Sequence, residues 1–276
     1  MAVLDIAGAR YNVVTAGEGA ALMLVHGFTG CAQSWAHIQP ALAAHFRLVM
    51  PDLLGHGRTD SPADPARYRM ERCVADLIGM LDALGIDRTH LLGYSMGGRV
   101  ALAAALRYPR RIASLILESA SPGLAAPQER QTRVASDNAL ADFIEREGVE
   151  AFVARWERMA LFSSQERLPA AVRARLRAQR LLNNPAGLAN SLRGLGTGVQ
   201  TPLWERLEEL GVPCLIMAGE LDAKFVAIAR RMAAAIDGSR LVVVEDAGHT
   251  IHLEQPQAFV RTVIEFAGGA GGFRRE

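Results

Sequence analysis

The sequence predicts a single α/β domain, with a mainly parallel β-sheet and helices on both of its faces. Short apolar runs alternate with longer amphipathic patterns along most of the chain, as expected for strands joined by helical crossovers. The chain has 276 residues, of which 50% are apolar, and one large α/β domain can reach this size without splitting. The formal net charge of +1 gives no reason to expect nucleic acid or an anionic membrane as a partner.

The predicted strands begin with a hairpin over residues 3–7 and 10–15. Six compact apolar runs follow, and strands that are buried on both faces have this character. These runs cover residues 21–26, 47–51, 90–93, 114–118, 214–218 and 241–244. Helical patterns are predicted over residues 34–44, 72–84, 96–107, 224–236 and 256–266.

Residues 124–210 interrupt this alternation. The segment is rich in Arg, Glu and Ala, has helical patterns and contains no strand-like run. We predict that it forms a helical lid inserted over the carboxyl edge of the sheet, where such folds bind ligands, and that residues 1–123 and 211–276 form the core. A plain helical decoration is the alternative. The Gly-rich tail over residues 268–276 is predicted to be a frayed end.

The sequence also gives expectations about the cellular compartment of the protein and about metal binding by its cysteines. No signal peptide is visible at the amino terminus, and no apolar run approaches the length of a membrane span. Cys31, Cys73 and Cys214 lack the spacing of metal ligands, so we expect reduced and mostly buried thiols. A cytoplasmic protein is the resulting expectation.

A serine in a glycine-rich turn is the first candidate for chemistry. The segment GYSMGG, residues 93–98, follows a predicted strand and begins a helical pattern. In that context G-x-S-x-G is the nucleophile elbow of the α/β-hydrolase fold, where a sharp turn exposes the serine hydroxyl. Ser95 is therefore the predicted nucleophile, and an ordinary glycine turn is the alternative. The N–H groups of Met96 and of Phe28, in the HGF segment after the first buried run, are the predicted oxyanion hole; a tight turn with a core histidine is the alternative for HGF.

An acid and a base are expected further along the chain, in that order. Asp222 directly follows the strand over residues 214–218, and Glu220 is its competitor. His249 follows the last predicted strand, and His252 is its competitor. In such a triad the carboxylate fixes the tautomer of the imidazole, which then accepts the serine proton. This machinery suits ester hydrolysis as well as reactions that pass through an enolate, so it does not choose the reaction.

Arginines suggest an anionic substrate. Arg99 lies one helical turn after Ser95, close enough to reach the pocket mouth. Within the predicted lid, Arg130 and Arg133 begin one helix, and residues 165–195 contain six arginines against one acid. Arginine binds carboxylates in a bidentate manner. Because arginine replaces lysine almost throughout this chain, a solvated helix face is the plainer interpretation for at least half of them.

Several longer motifs are spread over nearly the whole chain. They are HGFTG (26–30), DLLGHG (52–57), GYSMGGR (93–99), ESASPGL (118–124), NNPAGLANSLRGLGTGVQ (183–200), GELDAKF (219–225) and AGH (247–249). Together they resemble one enzyme family, the 2-succinyl-6-hydroxy-2,4-cyclohexadiene-1-carboxylate synthases. That family eliminates pyruvate from 2-succinyl-5-enolpyruvyl-6-hydroxy-3-cyclohexene-1-carboxylate in menaquinone biosynthesis, without a cofactor or metal.

The resemblance implies a role for each matching residue. It places the triad on Ser95, Asp222 and His249. It also implies a small tricarboxylate as the substrate, with no cofactor and no metal, which explains a cationic lid above a hydrolase-like triad. The implied carboxylate-binding and pocket residues are Arg99, Arg133, Arg180, Tyr94, Trp156 and Phe162; Arg130 is a neighbour whose side chain is able to face away.

Two rival functions share these residues. A serine hydrolase that acts on an anionic ester, thioester or carbon–carbon bond needs the same triad and differs only in what the lid admits. A small-molecule receptor on the same fold would bind tightly without turnover, and the intact set of triad residues argues against it. The oligomeric state stays open at this level.

Overall fold

An eight-stranded sheet forms the centre of the molecule, in a computed structural model that describes residues 2–270. The strands lie in the order β1-β2-β4-β3-β5-β6-β7-β8. β1 and β2 form an antiparallel hairpin, β2 joins β4 antiparallel, and all other neighbours are parallel. The predicted mainly parallel sheet is therefore confirmed. The strands are β1 Ala2–Ile6, β2 Ala9–Ala16, β3 Ala21–Val25, β4 Arg47–Pro51, β5 Thr89–Tyr94, β6 Ile112–Glu118, β7 Cys214–Gly219 and β8 Arg240–Val244.

Helices cover both faces of this sheet, as the alternating pattern predicts. On one face Leu77, Val100 and Met232 pack in a single apolar cluster. On the other face Leu42 and Phe259 belong to a second cluster. The helices are α1 Gln39–Ala43, α2 Met70–Ala83, α3 Met96–Arg107, α4 Pro127–Trp156, α5 Ala170–Leu181, α6 Pro185–Leu195, α7 Ala223–Ala235, α8 Ile251–Glu254 and α9 Pro256–Ala270.

Two sequence-based expectations about helices are wrong. The pattern over residues 34–44 predicts one helix, but the chain forms a 3₁₀ turn, Ala32–Trp35, and then the short α1. Pro40 lies in the first turn of α1, because proline has no N–H to donate and its ring excludes it from a helix interior. At the other end α9 continues through residues 268–270, where the sequence predicts a frayed end; the rest of that tail lies outside the described residues.

The segment between β6 and β7 contains α4, α5 and α6 together with two 3₁₀ helices, Ala160–Arg167 and Trp204–Glu209. Its helices have an apolar cluster of their own, in which Ile144 and Phe152 of α4 pack with Leu188 of α6. α4 bends at Gly148, which has φ +83° and ψ 173°. The exact division into a core and a lid remains a prediction. Between residues 2 and 270, no helix combines the length and the apolar character that a bilayer span requires.

Candidate active site

Ser95 occupies a strained turn between β5 and α3. Its φ of +51° and ψ of −107° are values that a side chain rarely adopts without support from its surroundings. The turn also needs glycine at two positions that flank Ser95 in the sequence, because the backbone passes too close for a side chain. A Cβ at Gly93 would lie 2.3 Å from the carbonyl oxygen of Gly97, and a Cβ at Gly97 would lie 2.2 Å from that of Val25. The sequence therefore forms the predicted elbow because no larger residue fits beside the serine.

His249 joins Ser95 to Asp222. The Nε2 atom of His249 lies 3.0 Å from the Ser95 hydroxyl, and its Nδ1 atom lies 2.7 Å from a carboxylate oxygen of Asp222. The other oxygen of Asp222 accepts the backbone N–H of Phe225 at 3.3 Å, at the start of α7. His249 is 1% exposed. Asp222 thus holds the Nδ1 proton in place, which leaves Nε2 to accept the serine proton.

Glu254 fixes the loop that carries His249, and sequence reasoning missed this residue. Its carboxylate accepts the backbone N–H of Gly248 at 2.8 Å and that of Thr250 at 3.1 Å, so the two residues flanking His249 are held by one side chain. Hydrogen bonds to a charged acceptor are among the stronger ones in proteins. The only signal in the sequence was an acid five residues after the candidate base.

Neither competitor for the acid or the base reaches Ser95. Glu220 is exposed and accepts the backbone N–H of Asp246 at 3.2 Å. The ring of His252 lies 2.8 Å from the carboxylate of Glu118, which is fully buried at the end of β6. The structure therefore brings together Ser95, Asp222 and His249.

Phe28 and Met96, the predicted oxyanion donors, line the same cavity as Ser95. Met96 is the first residue of α3, where backbone N–H groups have no partner within the helix. His26, which precedes the Phe28 turn, has a structural role. Its Nε2 atom accepts the N–H of Leu53 at 2.9 Å, its Nδ1 atom contacts the oxygen of Gly27 at 2.8 Å, and burial lowers its pKa to about 4. The oxyanion hole itself remains a prediction.

The cavity above Ser95 has a volume of about 490 Å³. Tyr94, Trp156 and Phe162, which the resemblance implies as pocket residues, all line it. Trp156 has a buried indole N–H without a hydrogen-bond partner among the described residues, so this donor is available to a bound molecule. Tyr94 donates to or accepts from the hydroxyl of Thr250 at 2.8 Å, and its ring packs against Gly27.

Arg99 is a buried cation in this cavity whose hydrogen bonds go to neutral acceptors. It is 7% exposed, and it donates to the side-chain oxygen of Gln200 at 2.7 Å and to the carbonyl oxygen of Leu195 at 2.9 Å. Burial lowers its pKa to about 10. Because a buried charge is costly without an ionic partner, an incoming carboxylate would bind here favourably.

Arg133 also lines the cavity, with its side chain 42% exposed. Its Nε atom donates to the carboxylate of Asp137 at 2.7 Å, and its terminal amino groups make no hydrogen bond to the part of the chain that the structure describes. Arg130 does face away, as the sequence allowed. It donates to the carbonyl oxygens of Leu124 and Ala125 at 3.2 and 2.7 Å.

Arg180 does not share this cavity. It lines a neighbouring one of about 310 Å³, and the side chains of Phe28, Tyr94 and Phe162 lie between the two because they line both. Arg180 is 5% exposed, burial lowers its pKa, and its closest carboxylate oxygen, on Glu157, is 3.4 Å away. The structure therefore separates Arg180 from the other two implied arginines.

Several other arginines of the segment 124–210 form ion pairs with acids at the surface. Arg177 pairs with Glu157 at 2.6 Å, and Arg193 pairs with Asp142 and Glu145 at 2.6 and 2.7 Å. For these residues the plainer interpretation, a solvated helix face, holds. Fewer arginines therefore face the cavities than the number of arginines in this segment suggests.

The fold and the geometry of this site are those of a known class of proteins. The model of the alpha/beta hydrolase fold family matches residues 20–256, so the chain belongs to that family. Closer relatives are found within it. The putative 2-succinyl-6-hydroxy-2,4-cyclohexadiene-1-carboxylate synthase of Bacillus subtilis (strain 168) is 49% identical over 261 residues, which cover 94% of this chain and 95% of that protein.

Two further relatives agree. The 2-succinyl-6-hydroxy-2,4-cyclohexadiene-1-carboxylate synthase of Klebsiella pneumoniae subsp. pneumoniae is 35% identical, across 88% of this chain and 92% of that protein. A solved structure of MenH from S. aureus is 36% identical, covers 95% of this chain and 99% of its own, and has a TM-score of 0.90. The chain therefore belongs to the family of 2-succinyl-6-hydroxy-2,4-cyclohexadiene-1-carboxylate synthases.

Proposed function

We propose that this protein is a lyase of menaquinone biosynthesis that eliminates pyruvate from 2-succinyl-5-enolpyruvyl-6-hydroxy-3-cyclohexene-1-carboxylate, giving 2-succinyl-6-hydroxy-2,4-cyclohexadiene-1-carboxylate. The observation that carries the proposal is the hydrogen-bonded set of Ser95, His249 and Asp222 in one cavity with the buried cation Arg99. A neutral ester gains nothing from such a cation, whereas a substrate with three carboxylates does.

The reaction begins at ring carbon 2 of the substrate, whose proton is acidic because it lies next to the succinyl ketone. His249 takes the proton of Ser95, and the serine oxygen takes the proton from carbon 2. The electron pair forms the C2–C3 double bond, the C3–C4 double bond moves to C4–C5, and the C5–O bond breaks. Enolpyruvate leaves, takes a proton from the imidazolium of His249 and ketonises to pyruvate; Ser95 keeps the proton from carbon 2.

The remaining roles follow from where charge develops. In this proposal the N–H groups of Phe28 and Met96 stabilise the enolate oxygen of the succinyl ketone, and each such donor is worth about 3 kcal/mol. Arg99 and Arg133 bind carboxylates, and Trp156 contributes its unpartnered N–H. The serine acts as a base relay, so no acyl-enzyme forms and the reaction needs no cofactor.

The proposal also covers Arg180, the segment 124–210 and the cellular compartment. Arg180 serves the substrate from the neighbouring cavity, beyond the ring of Phe162 over which its guanidinium lies at 5.3 Å. Residues 124–210 form the lid, and residues 1–123 and 211–276 form the core. We place the protein in the cytoplasm with a small tricarboxylate as its binding partner.

The test is pyruvate release from the enolpyruvyl substrate, followed through lactate dehydrogenase and NADH. We expect turnover by the unaltered chain and a loss of about 10²–10⁴-fold in kcat for Ser95→Ala, the usual contribution of a positioned base. Ser239→Ala removes a hydroxyl far from the cavity and is the matched control. If the unaltered chain released no pyruvate while intact-mass spectrometry showed Ser95 acylated by a short-chain ester, the protein would be a serine hydrolase instead.

A further inference from the structure

The cavity above Ser95 has a third cationic side chain, which the family resemblance did not assign. Lys224 is the second residue of α7 and lines this cavity together with Asp222 and His249. It is the only lysine of the chain. Its side chain is exposed, and its amino group lies 5.9 Å from the centroid of the Phe225 ring. Lys224 therefore sits at the rim of the cavity, next to the acid and the base of the triad.

Lys224 makes no ion pair within the described residues 2–270, unlike Arg177 and Arg193, which pair with acids at the surface. The two acids that line the cavity are already engaged, because Asp222 holds His249 and Asp137 holds Arg133. An amino group at the rim of a cavity, with no carboxylate of its own protein to bind, is free to bind one from a ligand.

The number of cations around Ser95 then matches the substrate. In the part of the chain that the structure describes, Arg99, Arg133 and Lys224 are the arginine and lysine side chains that line this cavity. Arg180 lies on the far side of Tyr94 and Phe162, in the neighbouring cavity. The proposed substrate carries one carboxylate on its ring, one on its succinyl chain and one on its enolpyruvyl group. A third cation in the Ser95 cavity therefore provides a contact for a carboxylate in addition to the contacts of Arg99 and Arg133.

We propose that Lys224 is a substrate-binding residue that holds one carboxylate of the tricarboxylate substrate at the rim of the Ser95 cavity. This inference rests on the proposed lyase function and deepens it. The contact acts in the ground state and in the transition state alike, because the carboxylates keep their charge throughout the elimination. Loss of such uniform binding raises KM and leaves kcat nearly unchanged.

The kinetic test uses Lys224→Gln and Lys224→Arg in the pyruvate-release assay. We expect Lys224→Gln to raise KM about tenfold, the effect of one charge-assisted hydrogen bond, and Lys224→Arg to restore most of the affinity because it keeps the charge. Arg230→Gln is the matched control, since it removes a positive charge from an exposed position of the same helix outside the cavity. The salt dependence of kcat/KM should also weaken in Lys224→Gln but not in the control.

Chemical labelling gives an independent readout, because reductive methylation can modify only Lys224 and the α-amino group of this chain. The experiment uses the Ser95→Ala variant, which by the proposed mechanism turns substrate over about 10²–10⁴-fold more slowly, and peptide mass mapping to read the two amines separately. We expect saturating substrate to suppress labelling of Lys224 and to leave the α-amino group unchanged as the internal reference.

The outcomes separate this inference from the function on which it rests. Normal pyruvate release by the unaltered chain, with an unchanged KM in Lys224→Gln and no protection from labelling, would overturn the role of Lys224 and leave the lyase standing. No pyruvate release by the unaltered chain would overturn the lyase itself. If Lys224→Gln were poorly folded, the labelling experiment would still decide, because it leaves Lys224 in place.

Discussion

At the scale of single residues, the two arginines that line the Ser95 cavity differ in their burial and in their hydrogen-bond partners. Arg99 is buried and donates hydrogen bonds to the neutral oxygens of Gln200 and Leu195. Its charge has therefore already lost water, and among residues 2–270 no carboxylate accepts a hydrogen bond from it. Arg133 is partly exposed and already contacts the carboxylate of Asp137. We therefore expect Arg133 to affect mainly the affinity for the substrate, whereas Arg99 also contributes to the packing of α3 against α6.

Arg133→Gln tests this expectation, because glutamine removes the charge and keeps an N–H donor for the buried carboxylate of Asp137. It should raise KM for the enolpyruvyl substrate about tenfold with a small change in kcat, because a charge-assisted hydrogen bond to a carboxylate is lost equally in both states. Steady-state kinetics of pyruvate release give both constants. Arg130→Gln, three residues earlier on the same helix and turned away from the cavity, should keep both constants of the unaltered chain. An unchanged KM in Arg133→Gln would remove this residue from the binding site.

Glu254 allows a second prediction about one side chain, this time about kcat. Glu254→Gln keeps the size of the side chain but replaces a carboxylate that accepts two backbone N–H groups around His249. We expect kcat to fall while KM changes little, and the free energy of unfolding to fall by about 1–3 kcal/mol. Glu245→Gln, an exposed acid of the same loop, is the control for both measurements. Equal kinetics in the two variants would show that the loop holds His249 without Glu254.

At the scale of elements, the sequence predicted what depends on neighbours along the chain. β5, α3 and the elbow between them follow from an apolar run, a glycine turn and an amphipathic pattern, and all three are confirmed. Contacts between distant residues were not visible. The pairing of Arg177 with Glu157 and the placement of Arg180 behind Phe162 depend on how α4 and α5 pack, and no local pattern encodes that.

The bend in α4 provides a prediction at this scale. Gly148 has φ +83° and ψ 173° with no atom closer than 3.7 Å to the Cβ it lacks, so the backbone conformation alone requires glycine. Gly148→Ala should lower the free energy of unfolding by about 1–3 kcal/mol, the cost of a side chain in this region of φ and ψ. Chemical denaturation followed by circular dichroism measures the change.

Gly268→Ala is the control for this substitution and should have the opposite sign. Gly268 lies in α9 with open space around its Cβ position and no positive φ, where alanine is favoured over glycine by about 0.5–1 kcal/mol. Destabilisation by both variants to the same extent would mean that the bend at residue 148 imposes no special cost.

At the scale of the whole molecule, two buried histidines couple the fold to pH. His26 and His56 lie with their ring centroids 5.1 Å apart, and both are nearly inaccessible to water. Burial lowers the pKa of His26 to about 4 and that of His56 to about 3. In the unfolded chain both imidazoles titrate near pH 6.5. Between these values the two imidazoles bind more protons in the unfolded state than in the folded state. Their contribution to stability is therefore fully present above about pH 6.5 and is lost as pH falls.

His56→Gln measures the share of one imidazole in this acid sensitivity. For the unaltered chain, the free energy of unfolding should fall with acidification from about pH 6.5 to about pH 4, with about 1.4 kcal/mol per pH unit from each of His26 and His56. His56→Gln should reduce that slope by the contribution of one proton, whatever its effect on stability at neutral pH, because glutamine does not titrate. Urea denaturation at intervals of pH gives the slopes, and His45→Gln, at an exposed position, should keep the slope of the unaltered chain. If His56→Gln kept that slope as well, the His56 imidazole would have to be protonated in the folded protein. Burial between the Phe28 turn and the loop after β4 would then not keep this imidazole neutral.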